Sequence, residues 1–121
     1  MNSKLIVYFV IGIIISLFLF YNFYTPSVYT YGSVSKDKGK TIFILGSVHG
    51  NEPSGSKACY RLIDYLKGKP LKNKVIIMPM PNPIGYYLDS RYQLKPFNRD
   101  LNRNFSDEGK DRISKIILEN V

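Results

Sequence analysis

The sequence predicts an α/β unit, one β-strand, helix, β-strand (βαβ) repeat with a long loop and a terminal helix, preceded by a single transmembrane helix. Three observations carry this. Two short continuous apolar runs, Thr41 to Leu45 and Val75 to Met80, flank a segment whose apolar residues recur at helical spacing. Ahead of them, Leu5 to Tyr24 is a run of twenty uncharged, mostly apolar residues. Cys59 is the only cysteine, so no intrachain disulfide contributes.

A helix over residues 5–24 reaches about 30 Å, the thickness of a bilayer's hydrocarbon core. Tyr21 and Tyr24 stand at its far end, where amphipathic rings favour the membrane interface. A signal peptide has a shorter apolar stretch and a small-x-small cleavage site, and neither is evident. Residues 1–24 are therefore read as an uncleaved, single-pass membrane anchor in preference to a signal peptide or a core helix. The positive-inside rule sets Lys4 and the amino terminus against Lys36, Lys38 and Lys40, partly offset by Asp37, and chooses no side.

Residues 25–40 hold Pro, Ser, Gly, Thr and Tyr without periodicity and read as a linker. Thr41 to Leu45 has the pattern of a strand buried on both faces. Pro53 to Lys67 reads as an amphipathic helix with Cys59, Leu62, Ile63 and Leu66 inward; Pro53 suits its first turn, and Gly68 and Pro70 end it. Val75 to Met80 is the second strand, reached by a right-handed crossover. Pro81 to Gly85 forces a turn, and the polar, aromatic stretch to Phe105 is a long loop of the kind that carries function. Asp107 is the candidate cap of a last helix, with Ile113, Ile116 and Ile117 inward. Two parallel strands leave faces and edges that need cover, so residues 41–121 read as an unfinished domain.

Lys and Arg number 17 against 9 acidic residues, a net charge of +8, which suits an anionic partner. Much of the excess is local: Lys67, Lys69, Lys72 and Lys74 crowd one connection and read as a solvated loop. No nucleic-acid partner is expected.

His49, the only histidine, lies in a Gly-rich turn directly after the first strand, and ligands of open parallel sheets bind outside the carboxyl ends of the strands. Glu52 follows three residues later, where the turn folds its carboxylate back beside the imidazole. Both groups suit Zn²⁺. Alone, a His-x-x-Glu is weak evidence, since a lone histidine in a turn is more often a capping or surface residue. A second cluster adds cations and amides on one loop: Asn82-Pro83-Ile84-Gly85, Arg91, and Asp100-Leu101-Asn102-Arg103-Asn104-Phe105. An Arg beside a metal can stabilise an oxyanion, and Asn102 with Arg103 makes a donor fork suited to a carboxylate. The bland alternative is that Arg91, Arg99 and Arg103 solvate the loop.

Gly46-Ser47-Val48-His49-Gly50-Asn51-Glu52-Pro53-Ser54-Gly55 resembles the first zinc-binding motif of the M14 metallocarboxypeptidase superfamily. That group includes zinc carboxypeptidases, murein peptide amidases and the succinylglutamate desuccinylase and aspartoacylase branch. Asn82-Pro83-x-Gly85 and Asp100-Leu101-Asn102-Arg103-Asn104-Phe105 match its next landmarks in order, so the resemblance covers roughly residues 41–106. It implies an incomplete zinc-carboxypeptidase-like fold with Zn²⁺ as cofactor, ligated by His49 and Glu52. It also implies substrate-carboxylate binding by Asn102 and Arg103, and an oxyanion-stabilising arginine, for which Arg91 is the candidate and Arg99 the alternative. Asp100 is expected to hold the loop in shape. The implied reaction is hydrolysis of a peptide or N-acyl amide bond next to a substrate carboxylate.

The resemblance also implies a second His ligand and a general-base Glu. The chain has no other histidine, and its later acids, Asp107, Glu108, Asp111 and Glu119, do not match the position of the Glu. The sequence therefore reads as a truncated chain, inactive alone; a degenerate homologue or one completed by a second chain are the lesser readings. Two functional rivals stand beside the hydrolase: an anchored, non-catalytic carboxylate-binding module, and a basic protein of membrane or nucleic-acid surfaces.

Overall fold

A computed structural model describes residues 3–32, 39–93, 100–105 and 112–119. The elements are α1 (Ser3–Tyr24), β1 (Tyr29–Tyr31), β2 (Thr41–Leu45), α2 (Ser54–Leu66), β3 (Lys74–Met78), α3 (Pro83–Tyr87), a 3₁₀ turn (Leu101–Arg103) and α4 (Arg112–Leu118). The βαβ unit stands where the apolar runs place it: β2 and β3 pair in parallel, with Thr41 opposite Lys74 and Leu45 opposite Met78.

Three expectations need correction. Residues 29–31 lie inside the expected linker yet form β1, which pairs antiparallel with β3 and makes a mixed sheet of order β1-β3-β2. Three residues are too few to show a period. Their stability comes from β3's free edge and from Tyr29 packing edge-on against Tyr60 of α2, with ring centres 6.4 Å apart. Among the described strands, β3, the central one, is alone in being buried on both faces; β2 is an edge strand with Ile42 exposed. The stretch after Met80 is not all loop, since α3 and the 3₁₀ turn interrupt it. The expected cap Asp107 lies outside the described residues, while Ile113 and Ile117 of α4 are buried as expected.

Alternation along β3 divides the core. Val75 and Ile77 face Cys59, Ile63 and Leu66 of α2 on one side of the sheet. Met78 meets Leu101, Ile113, Ile117 and Tyr24 on the other. The last residue of α1 is thus built into the domain, whereas Ser3–Tyr21 is long and apolar enough to cross a membrane and stands wholly outside it.

The lysine connection behaves as a solvated surface: Lys67 pairs with Asp64 at 2.7 Å, and the Lys69 ammonium lies over the Tyr65 ring. Cys59 is buried, and that burial pushes its thiol pKa up. Cys59 is accordingly expected to resist a disulfide reagent in the folded chain and to react once urea is added. Rapid labelling of the folded chain would contradict this packing.

Candidate active site

The carboxyl ends of β2 and β3 lie side by side, and the polar chemistry collects there. Strand pairing runs on past β2, as Gly46 N–H donates to Met78 O (2.9 Å) and Ser47 N–H to Pro79 O (3.1 Å). The chain then turns, and Ser47 pins the turn. Its hydroxyl donates to Glu52 O (2.6 Å) and accepts from Ser56 N–H (2.9 Å). Glu52 N–H donates to His49 O (3.2 Å), which closes the turn and folds Glu52 back beside the imidazole. Ser47→Ala removes both hydroxyl bonds from a buried site. We expect a loss of about 1–3 kcal/mol in urea unfolding. An unchanged midpoint would show that the turn is held by something else.

The turn sits on α3. A Cβ at Gly50 would stand 2.0 Å from the carbonyl carbon of Gly85, so only glycine allows this approach. Asn82 builds the seat: its Oδ1 accepts from Gly85 N–H (3.1 Å), capping α3 at the Asn-Pro step. The Asn82-Pro83-x-Gly85 motif therefore supports the site from below.

His49 lies buried between two carboxylates. Its Nε2 is 3.0 Å from Asp100 Oδ1 and its Nδ1 is 3.2 Å from Glu52 Oε1. A neutral imidazole carries one N–H. Asp100 is the more buried and more firmly held carboxylate, so we assign the proton to Nε2, donating to it. Nδ1 and Glu52 Oε1 then face one another as two acceptors, an arrangement that calls for a proton or a cation between them. Two ligands of a tetrahedral zinc, each at about 2.0–2.2 Å, stand roughly 3.3 Å apart. The pair fits two positions of such an ion. Among the described residues, no group of three His, Cys, Asp or Glu side chains forms a complete metal site.

Asp100 is the hub that the sequence did not reveal. It does hold its loop, accepting from Asn102 N–H at Oδ1 (3.0 Å), while Asn104 Nδ2 donates to its carbonyl (2.9 Å). It also takes two bonds at Oδ2 from Arg91, from Nε (3.1 Å) and Nη2 (2.9 Å). Burial pushes its carboxyl pKa up, but the bonds from His49, Arg91 and Asn102 N–H, with the Arg91 charge, outweigh burial and hold it below the usual carboxylate range. Arg91 Nη1 lies 3.7 Å from Glu52 Oε1, so one guanidinium answers both carboxylates.

A cleft of about 350 Å³ opens here, lined by His49, Glu52, Ser54, Gly55, Asn102 and the chain from Gly46 to Val48. Of the residues singled out from sequence, His49, Glu52, Arg91 and Asn102 thus meet at one place. Arg103 is exposed beside them and donates from Nη1 to Asn102 O (3.3 Å). Arg99 lies outside the described residues. Ser47 escaped the sequence reading because its role depends on backbone partners that no pattern displays. Asp100 had one available signal, an acid two residues ahead of Asn102.

Comparison with known proteins supports the motif reading. Residues 38–116 match the family described as Succinylglutamate desuccinylase/Aspartoacylase catalytic domain. Carboxypeptidase SOL1 of Arabidopsis thaliana is 35% identical over 74 residues, covering 53% of this chain and 15% of that protein. The succinylglutamate desuccinylase/aspartoacylase structure from Rhodobacter sphaeroides aligns with a TM-score of 0.61 at 26% identity, over 78% of this chain and 28% of that one. A succinylglutamate desuccinylase from Silicibacter sp. shares the fold, with a TM-score of 0.62 at 21% identity, over 78% of this chain and 27% of that one. The chain therefore spans less than a third of the length of these relatives.

Proposed function

Since the chain belongs to the succinylglutamate desuccinylase/aspartoacylase catalytic-domain family, within the M14-like superfamily, we propose that it serves zinc-dependent hydrolysis of an amide bond beside a substrate carboxylate. The amide is a peptide or N-acyl bond. The supporting observation is the 3.2 Å between His49 Nδ1 and Glu52 Oε1, close to the spacing of two ligands on one tetrahedral ion, with Asp100 on the other ring nitrogen.

In this reading His49 and Glu52 hold the ion. Zinc there would supply Lewis acidity toward a carbonyl oxygen and lower the pKa of water. Asp100 keeps the His49 proton on Nε2 and so keeps Nδ1 available. Arg91 binds Asp100 through Nε and Nη2 and turns Nη1 toward Glu52, which places its charge beside the ion, where negative charge develops on the carbonyl oxygen. Asn102 on the cleft wall, with Arg103 next to it, takes the substrate carboxylate. Residues 5–24 anchor the domain to a membrane as a single pass.

The chain's one histidine leaves the expected second His ligand and general-base Glu to be supplied, so the test is hydrolysis of an N-acyl amino acid by a form of the protein that carries both. Turnover is expected to stop on chelation, to return with zinc, and to be lost with zinc content in His49→Ala. Wild-type turnover and zinc content in His49→Ala would overturn the reading.

A further inference from the structure

The span and the site share one end of the sheet. α1 ends at Tyr24, and Tyr29 is already paired with Ile77 near the carboxyl end of β3. The five steps between Tyr24 and Tyr29 reach at most about 18 Å. His49 and Glu52 leave β2 at that same end, where Leu45 lies opposite Met78. α3 follows β3 there and lies against α1. At the carboxyl end of α1, Ile84 of α3 packs against the cluster that includes Tyr24.

At the carboxyl end of α3, the helix that lies against α1, Tyr87 and Leu88 are each 61% exposed, an aromatic and an aliphatic side chain. Asp89 follows with a positive φ and an exposed carboxylate. A charge there opposes entry into hydrocarbon but is compatible with the headgroup layer. Tyrosine beside an aliphatic residue suits that layer as well.

We propose that the active-site end of the domain rests on the bilayer surface, with Tyr87 and Leu88 as its lipid contact. The inference rests on α1 being a membrane span. It brings the cleft to the headgroup layer, within reach of amides presented at the membrane surface.

The chain has no tryptophan, so single tryptophans report without background. The experiment places one at position 87 (Tyr87→Trp), one within the span (Tyr8→Trp) and one at the end of α2 (Tyr65→Trp). Each full chain is reconstituted in vesicles of phosphatidylcholine and phosphatidylglycerol whose acyl chains are brominated near the headgroups. Because α2 begins beside the carboxyl end of β2 and returns the chain to the start of β3, Tyr65 marks the end of the domain away from the site. Expected are quenched, blue-shifted emission at positions 8 and 87 and unquenched emission at 65. Quenching at 8 with position 87 behaving like 65 would overturn the membrane contact and leave the anchor standing. No quenching at 8 would overturn the anchor, and the contact with it. Equal quenching at 65 and 87 would also overturn it, since the domain would then have no preferred face toward lipid.

Discussion

Gly50→Ala is expected to cost about 3 kcal/mol of domain stability, the upper part of the range for forcing extra volume into a packed region. The added methyl would meet Gly85 C at 2.0 Å, Gly85 O at 2.2 Å and Tyr86 N at 2.3 Å. All three are backbone atoms of a helix that Asn82 caps, so no side chain can swing aside to make room. Either the 49–52 turn lifts off α3 or α3 shifts, and in both cases the seat beneath the His49 and Glu52 pair is disturbed. Gly68→Ala is the control. Gly68 has a positive φ but nothing within 4 Å, so its substitution should cost only about 1–2 kcal/mol of left-handed backbone strain. Urea unfolding of the two variants side by side separates contact from backbone conformation. A smaller loss for Gly50→Ala than for Gly68→Ala would show that the turn does not sit on α3.

Asp100→Asn is expected to weaken zinc binding by about 10–100-fold, the usual consequence of losing a carboxylate behind a ligating histidine. The substitution keeps size but not chemistry. Asp100 accepts from His49 at one oxygen and twice from Arg91 at the other. An asparagine can accept on one side only; its amide nitrogen would face a donor on the other. If the oxygen keeps Arg91, His49 loses the acceptor that holds its proton on Nε2. If it keeps His49, Arg91 is released toward Glu52 and adds positive charge beside the ion. Zinc competition against a chromophoric chelator reads either result. The pH dependence follows in sign: because Asp100 is held below the usual carboxylate range, its contribution is present above the unfolded-state pKa. It is lost only as pH falls through the still lower folded value. Unchanged affinity in Asp100→Asn would show that the ring is oriented without it.

These two sites show what a sequence displays and what it hides. His49 and Glu52 are legible because a Gly-rich turn after a buried strand brings residues three apart together through local geometry. β3 and α2 are legible because continuous apolar runs and helical spacing are periodic signals. Asp100 reaches His49 across 51 residues, and no local pattern encodes that contact. β1 was hidden for a different reason: three residues carry no period, and they are held by β3's edge and by Tyr60. β2 looked buried because its five residues are largely apolar, yet the sheet order leaves it at an edge. α3 was obscured by Pro81 just ahead of it and by its own Pro83 and Gly85, which read as a turn. Pro83 stands at the first helical position, and Gly85 supplies the cap's donor and the close approach to Gly50.

We propose that His49 and Glu52 together make a two-donor zinc site. It is tested most directly by titrating the 121-residue chain with zinc against a competing chelator, alongside His49→Ala and Glu52→Gln. Saturable binding by the wild type is expected, lost in both variants, with each variant still folded by circular dichroism. Equal zinc affinity in all three folded chains would contradict it.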